Sequence, residues 1–271
     1  MIRLGLVTTL GENFMTIKTV EFRHLKDEPG QSHGVFTRKG GVSLPPFDAL
    51  NVGLGTGDAA SLVLKNRRRV AHHMNAHTPI YLNQIHGSDI LVLKKEDQND
   101  NCHLTRDRLT ADGIITDMSD LLLVIQTADC QAVLLYDPVK RVAGNIHSGW
   151  RGSAADIIGN GVDRMKDEFG CDPGDILAGI GPSLGPCCAE FLNYKKELPE
   201  ALWKYRTDLS SHCFNFWEIS CDQLKKKGVK PDNIEVSGIC TKCSGHDFFS
   251  HRREKPTGRF ATAIQLTSYP L

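Results

Sequence analysis

The sequence predicts an α/β fold, a single domain over residues 1–271 in which mixed β-sheets are flanked by helices. Leu121–Ile125 and Ala132–Tyr136 are short apolar runs of the kind that become buried strands. A helical pattern follows them, with one apolar face made of Ile158, Val162, Met165 and Phe169. Several strands are joined by turns too short for a parallel crossover, so mixed pairing is expected.

The remaining elements are predicted from the same periodicities. Further strands are expected at Thr16–Phe22, Gly34–Thr37, Ile80–Gln84, Ile90–Leu93, Arg141–Ile146, Ile176–Ile180 and Ile234–Ile239. Helices are expected from Asp58 or Ser61 to about Met74, from near Ser153 to Phe169, and at 195–206 and 217–227. Residues 95–110 are polar and predict an exposed excursion. The Gly-rich loop Asn51–Gly57 fits neither a P-loop nor a dinucleotide-binding turn.

Composition excludes several classes of partner. The chain has 32 basic and 32 acidic residues, so no general attraction to nucleic acid or to an anionic membrane is expected. It contains no apolar run of about 18 residues, the minimum for a membrane-spanning helix. Its first residues lack the apolar core of a secretory signal. Nine cysteines scattered over 271 residues favour a reduced, cytoplasmic protein.

Three residues form a candidate metal site. His86, Cys130 and His147 each stand at the end of a predicted strand, beside a Gly or small-residue turn. Two imidazoles and one thiolate suit zinc, and three protein ligands leave a fourth position open for water or substrate, as in catalytic sites. A buried His or Cys is also a common core residue, so spacing alone leaves both interpretations open.

The other cysteines give a weaker signal. Cys240 and Cys243 form a C-x-x-C pair, but a zinc ribbon needs a second such pair and the chain has none. Cys187 and Cys188 are adjacent, an arrangement poorly suited to chelating one ion. We expect these four residues to be structural thiols.

Motifs spread along almost the whole chain resemble those of the YfiH-like family, long labelled multicopper polyphenol oxidase or laccase-domain proteins. The matching segments are TRKGGVS (37–43), LNVG (50–53), NRR (66–68), NQIHG (83–87), ADG (111–113), TADC (127–130), HSGWRG (147–152), GIGPSLGPCC (179–188) and CT…FFSHRR…TGR (240–259). They occur in family order. The resemblance implies a fold of the CNF-toxin/YfiH type.

The resemblance also implies a function. In this family the equivalents of His86, Cys130 and His147 bind one zinc ion per chain. Members split adenosine, inosine and S-methyl-5'-thioadenosine with phosphate into a base and a sugar 1-phosphate, and adenosine deamination accompanies this reaction. Purine nucleosides and phosphate are therefore the expected partners, and the protein is expected to be a monomer or a small homo-oligomer. His251 stands where many relatives have Tyr.

Further site residues follow from the motifs and from the chemistry of the implied reactions. Arg38, Arg67 and Arg151 lie in family motifs beside Gly and are candidates to bind phosphate, which needs charged donors. Asn51 is a candidate to contact ribose or phosphate. Asp129, next to Cys130, is a candidate proton shuttle, although support of a metal ligand is its commoner role. Trp150 suits stacking on a purine and equally suits a core position.

Two other functions remain open. A copper-dependent polyphenol oxidase is favoured less than a zinc enzyme, because the eleven histidines include no His-x-His pair to hold a trinuclear copper cluster. An amide or peptidoglycan-precursor hydrolase would use Cys130 as nucleophile and His147 as base, and the likeness of the family fold to cysteine hydrolases supports it.

Overall fold

The computed structural model describes residues 16–96, 109–119 and 121–267, and these residues contain eleven strands and six α-helices. The strands are β1 (Thr19–Val20), β2 (Gln31–Phe36), β3 (Thr78–Tyr81), β4 (Ile90–Leu93), β5 (Gly113–Thr116), β6 (Leu121–Thr127), β7 (Gln131–Asp137), β8 (Val142–Ser148), β9 (Leu177–Ile180), β10 (Ile234–Val236) and β11 (Phe260–Leu266). The helices are α1 (Arg23–Lys26), α2 (Ala60–His73), α3 (Trp150–Ala154), α4 (Ile157–Phe169), α5 (Tyr194–Glu197) and α6 (Phe216–Lys226).

The strands form two mixed sheets. One has five strands in the order β1-β2-β11-β6-β3, and the other has six in the order β10-β9-β7-β8-β5-β4. Three neighbouring pairs are parallel, namely β3 with β6, β4 with β5, and β9 with β10. The other pairs are antiparallel. Mixed pairing, predicted from the short turns, is confirmed.

The two sheets pack face to face and bury the central core between them. Leu123 and Ile125 of β6 meet Leu134 of β7 there, all without exposed surface. The Asn145 side chain of β8 also bridges the sheets, since its Nδ2 donates to the carbonyl oxygens of Leu123 (3.1 Å) and Thr262 (2.8 Å).

Helices cover the outer face of each sheet. Val133 of β7 packs in one cluster with Val162 of α4, and α6 belongs to the same layer. Leu122 of β6 packs with Val70 of α2 on the opposite side of the molecule. Successive strand residues point to opposite faces, so both faces of the central strands are buried. The predicted class, mixed sheets flanked by helices, is confirmed.

Two helix predictions need correction. The helix expected from Ser153 to Phe169 is two helices, α3 and α4, because Asp156 has a φ of +56°, a left-handed conformation that interrupts an α-helix. The helix expected at 195–206 is the short α5 followed by a 3-10 turn over Glu200–Tyr205, since Pro199 cannot continue the hydrogen-bond ladder. The predictions for α2 and α6 are confirmed.

Several strand predictions also need correction. The strand expected at Thr16–Phe22 is reduced to β1, and β8 extends to Ser148, so that His147 lies within the strand rather than after it. β5 and β11 were not predicted. β11 is buried throughout and lies between β2 and β6. The sequence does not predict it because Thr262 and Gln265 interrupt its apolar pattern. Most of the excursion expected at 95–110 lies outside the described residues.

The chain passes twice from the five-stranded sheet to the six-stranded sheet at the same end of the molecule, and it returns there once, between β10 and β11. β3 belongs to the five-stranded sheet and β4 to the six-stranded one, and the same is true of β6 and β7. Because β3 runs parallel to β6, the two crossing loops leave the first sheet side by side. His86 lies in the first loop and Cys130 in the second.

The burial of β11 can be tested with Ile264→Ala. Ile264 is fully buried between the sheets, and truncating a buried Ile to Ala destabilises by about 2–5 kcal/mol. Chemical denaturation should show this loss in the free energy of unfolding. Leu209→Ala is the control, because Leu209 is 89% exposed and its truncation should change stability by less than about 0.5 kcal/mol. Equal effects of the two changes would contradict the central position of β11.

Candidate active site

The crossing loops and β8 bring three metal-binding side chains together. The ligand atoms of His86, Cys130 and His147 all lie within 4.8 Å of one another. The two imidazole rings meet edge to face, with 4.9 Å between their centroids. His147 is buried, Cys130 is half-buried and His86 is exposed, so the group faces outward on one side. The structure thus brings together the three residues grouped in the sequence, and their binding of a metal stays a prediction.

A buried carboxylate organises this group. Asp112 has no exposed surface, and its Oδ1 lies 2.8 Å from Nδ1 of His147. The same carboxylate accepts hydrogen bonds from the backbone N–H groups of His86 (2.9 Å) and Gly87 (2.6 Å). Asp112 therefore orients one imidazole directly and holds the loop that carries the other. Since Nδ1 of His147 is taken, Nε2 is the nitrogen left to bind a metal.

The electrostatics of the group favour a thiolate. Burial opposes ionisation of Cys130, but hydrogen bonds from His147 and His86 outweigh it and lower the pKa of the thiol from 9.0 to about 6. Burial also opposes the charged form of His147, yet hydrogen bonds to Asp112 and Cys130 raise its pKa from 6.5 to about 9. Without a metal these shifts favour a thiolate beside a protonated His147. A metal ion requires the thiolate and a neutral imidazole, so its binding would release the proton from His147.

The group opens into a cavity of about 900 Å³. This is within the usual size range of small-molecule sites. Trp150, Phe191 and Phe216 contribute aromatic surface to the cavity, while Gln84, Asp129 and Arg259 contribute polar surface. Aromatic surface combined with a few polar groups is typical of a small-molecule site.

The arginines singled out in the sequence lie outside the lining of this cavity. Arg38 pairs with Glu254 (2.9 Å) and stacks on an aromatic ring. The guanidinium carbon of Arg67 lies 3.9 Å from the ring centre of Tyr81, and that of Arg151 lies 4.1 Å from the ring of Trp150. Their role in binding phosphate stays a prediction.

Asn51 is also absent from the cavity lining, and its contacts are structural. It is fully buried, and its Oδ1 accepts hydrogen bonds from the backbone N–H groups of Gly53 (3.0 Å) and Arg259 (2.8 Å). Both of these neighbours line the cavity. Asn51 thus shapes the cavity through the backbone it holds, while direct contact with a ligand stays a prediction.

Asp129 lines the cavity next to Cys130 and connects three loops. Its φ is +96°, and its carboxylate accepts hydrogen bonds from Thr241 Oγ1 (2.7 Å) and from the backbone N–H of Arg252 (2.6 Å). Its carbonyl oxygen accepts from the N–H of Leu184 (2.9 Å). These contacts suit a supporting role, and the expected role in proton transfer stays a prediction.

Sequence reasoning missed two residues of this site. Asp112 stands in the ADG segment, but nothing local marks it as the partner of His147, which follows 35 positions later. Arg259 stands in the TGR segment and lines the cavity. Burial lowers the pKa of Arg259, while the nearby charges of Cys130 and Asp129 oppose that shift. Their positions in these two family segments were the signal that the sequence offered.

Comparison with known proteins places the chain in a family. The model of the family described as multi-copper polyphenol oxidoreductase laccase matches residues 32–267. The chain belongs to this family. That match confirms the resemblance drawn from the motifs, since the matched range contains every segment on which the resemblance rests.

Two relatives of similar sequence are named purine nucleoside phosphorylases and not oxidoreductases, and a solved structure is similar to the whole fold. The purine nucleoside phosphorylase YlmD of Geobacillus stearothermophilus is 34% identical over 249 residues, which are 87% of this chain and 90% of that protein. The purine nucleoside phosphorylase YfiH of Escherichia coli is 32% identical, over 85% and 91%. The crystal structure of Bacillus licheniformis YfiH has a TM-score of 0.79 and 31% identity, over 89% and 98%.

Among the described residues, none of the helices combines the length and the apolarity that crossing a bilayer requires.

The organising role of Asp112 can be tested with Asp112→Asn. The amide loses the charge that orients His147, and loss of such a partner typically lowers metal affinity about 10- to 100-fold. Competition with a chelator measures the affinity for Zn²⁺. Asp137→Asn is the matched control, because Asp137 is equally buried but accepts hydrogen bonds from Val139 and Lys140 in a turn. If both variants bind Zn²⁺ like the wild type, Asp112 does not organise the site.

Proposed function

We propose that this protein is a zinc-dependent purine nucleoside phosphorylase. Its substrates are adenosine, inosine and S-methyl-5'-thioadenosine, and adenosine deamination is a side activity. The observation that carries the proposal is one cavity that joins a possible metal-binding group, an aromatic surface and the half-buried Arg259. The names of the relatives support the same class of reaction.

The side chains of the site fit one zinc ion. Two imidazoles and a thiolate are a ligand set typical of catalytic zinc, and their donor atoms are close enough to share one ion. When bound, zinc supplies a Lewis acid that polarises a substrate atom or a water molecule. Cys130, His86 and His147 are the residues proposed to hold it, and Asp112 keeps His147 in the required tautomer.

The aromatic surface suits a purine base. Trp150 and Phe191 contact each other edge to face with 6.4 Å between their centroids, and both line the cavity. Flat rings of this kind provide apolar contact and stacking for a planar heterocycle. Gln84 and Gln126 line the same cavity. The side-chain amide of Gln84 donates to the carbonyl oxygen of Gln126 (3.0 Å) and accepts from its N–H (2.9 Å), which fixes the two residues together.

Arg259 is our proposed phosphate-binding residue. It lines the cavity, and its Nη1 donates to the carbonyl oxygens of Thr257 (3.1 Å) and Gly258 (2.9 Å), which fixes the direction of the guanidinium. A fixed guanidinium binds two phosphate oxygens through charge-assisted hydrogen bonds. His251 lines the cavity beside it and adds a second nitrogen donor.

Phosphorolysis then requires positioning and one proton. A phosphate oxygen forms a bond to the anomeric carbon, the bond from that carbon to the purine nitrogen breaks, and its electron pair leaves with the base. A proton must reach the departing base. Asp129 is the proposed carboxylate for this transfer, and for proton transfer during deamination, since it lines the cavity next to Cys130.

A second candidate function has its own support in the geometry. The Cys130 sulfur lies within 4.8 Å of a ring nitrogen of His147, and Nδ1 of His147 lies 2.8 Å from Oδ1 of Asp112, which is the order of nucleophile, base and orienting carboxylate in cysteine hydrolases. An amide hydrolase would use the Cys130 sulfur directly. Such an enzyme would stay active after zinc is removed, whereas the phosphorylase would not.

The copper oxidase expected from the family's description is less well supported. Within the described residues, the groups able to hold a metal are the His86–Cys130–His147 group and a group of four cysteines. Neither offers the several histidines of a trinuclear copper cluster.

The proposal is tested by measuring base release from adenosine and inosine across a series of phosphate concentrations. We expect release to require phosphate and to yield ribose 1-phosphate. Zinc removal should abolish it and restored zinc should recover it. Cys130→Ser should lose activity and the zinc ion at the His86–Cys130–His147 group with the fold retained, because a hydroxyl is a poor zinc ligand. Base release indifferent to phosphate would rule out a phosphorylase.

The assignment of the phosphate site is tested with Arg259→Ala. A charge-assisted hydrogen bond contributes about 1.5–3 kcal/mol, so the phosphate KM should rise about ten- to a hundredfold while the nucleoside KM changes little. Ammonia release from adenosine needs no phosphate and should survive better. Arg164→Ala is the control, since Arg164 is exposed and pairs with Glu168 (3.1 Å).

The same assay on Arg38→Ala, Arg67→Ala and Arg151→Ala tests the expectation from the sequence. Smaller changes in the phosphate KM are expected for these three variants, because their side chains lie outside the cavity lining. If one of them, and not Arg259, controls the phosphate dependence, the assignment to Arg259 is wrong.

A further inference from the structure

Four cysteines form a second cluster of metal-binding side chains. The sulfur atoms of Cys187, Cys188, Cys240 and Cys243 all lie within 4.8 Å of one another. The sulfur of Cys243 is 3.8 Å from that of Cys187 and 3.6 Å from that of Cys188. Sequence reasoning missed this cluster, because it looked for a second C-x-x-C pair and the partner is an adjacent pair 55 residues upstream.

These separations match a metal site and not a disulfide. A zinc ion with four thiolate ligands at about 2.3 Å in tetrahedral geometry places the sulfurs about 3.8 Å apart. A disulfide would hold two of them at about 2.05 Å. We propose that Cys187, Cys188, Cys240 and Cys243 bind one zinc ion in a closed, structural site, separate from the catalytic group.

The backbone around the cluster brings the two cysteine pairs together. Ser183 and Cys240 form a parallel bridge that continues the pairing of β9 with β10 beyond the strands. The N–H of Thr241 donates to the carbonyl oxygen of Ser183 (3.0 Å), and the N–H of Ser244 donates to that of Cys240 (2.9 Å), so hydrogen bonds hold the two loops at the cluster. A side chain at position 185 would lie 3.1 Å from the Cys240 β-carbon, so glycine permits this close approach.

The adjacent residues Cys187 and Cys188 can bind the same ion because the chain forms a tight turn at these two residues. The N–H of Cys188 donates to the carbonyl oxygen of Gly185 (2.9 Å), and the next residue, Ala189, donates to the same oxygen (3.0 Å). In such a turn neighbouring side chains need not point in opposite directions as they do in a strand. Both sulfurs of the pair consequently lie near Cys243.

The ion would connect the two loops that form one wall of the cavity. The loop after β9 contributes Leu184 and Glu190 to the lining, and the loop after β10 contributes His251 and Arg252. Arg252 already ties these loops together, since its Nη1 donates to the carbonyl oxygens of Glu190 (3.0 Å) and Cys188 (3.4 Å). A zinc ion at the cluster would give this wall a covalent-strength cross-link, whichever reaction the cavity performs.

The decisive measurement is the zinc content of the full-length protein. We expect about two zinc ions per wild-type chain, and about one in His86→Ala. Cys243→Ser and Cys187→Ser, which change exposed members of the cluster, should also hold about one. Cys221→Ser is the matched control and should keep two, because Cys221 belongs to neither group.

Spectroscopy keeps the test valid if the cysteine variants do not fold. Cobalt substituted into His86→Ala should give the intense visible and near-ultraviolet thiolate bands of a tetrahedral four-sulfur site. In the zinc-loaded wild type, Cys187 and Cys243 should resist a thiol reagent despite their exposure, and a chelator should make them reactive. A wild type with a single zinc that His86→Ala removes, or a disulfide within the cluster, would overturn the proposal.

Discussion

The site depends on one buried charge, the carboxylate of Asp112. A carboxylate without exposed surface must be hydrogen-bonded or paired, because an isolated buried charge is strongly unfavourable. Asp112 meets this need with His147 and with the N–H groups of His86 and Gly87. The same interactions fix both imidazoles relative to Cys130. Stability of the crossing loop and geometry of the metal-binding group are therefore set by the same contacts.

The two-sheet architecture explains why carboxylates occupy this place. Where the chain leaves one sheet for the other, its N–H groups have no strand partner and need other acceptors. Asp112 accepts from the β3–β4 crossing, while Asp129 accepts from Arg252 on the opposite wall of the cavity. Two acidic side chains thus hold together the end of the molecule at which the sheets separate. The cavity is formed by the same separation.

The family's description and the names of its members point to different chemistries. Its model is described as a multi-copper oxidoreductase, whereas similar members are named purine nucleoside phosphorylases. A fold alone does not decide between them, because function follows the side chains placed on it. Here those side chains are one cysteine, two histidines, an aromatic surface and the half-buried Arg259. This combination suits a nucleoside and phosphate better than electron transfer through several coppers.

Local sequence pattern was enough to predict the class of fold, and the family motifs were enough to group His86, Cys130 and His147 as candidate metal ligands. Apolar runs such as those of β6 and β7 indicate buried strands, and short turns between strands indicate a sheet with mixed pairing. The family motifs marked His86, Cys130 and His147. Prediction from local pattern missed β11, because this strand buries polar residues as well as apolar ones. It also predicted one helix where the positive φ of Asp156 separates two.

The remaining features were decided by tertiary structure. Asp112 contacts His147, which follows 35 positions later in the chain. The two cysteine pairs lie side by side although 55 positions separate Cys188 from Cys243. Arg259 reaches the cavity because β11, which it precedes, lies in the middle of a sheet. Periodicity describes how one segment buries its own face, and it carries no information on which distant segments that burial brings into contact.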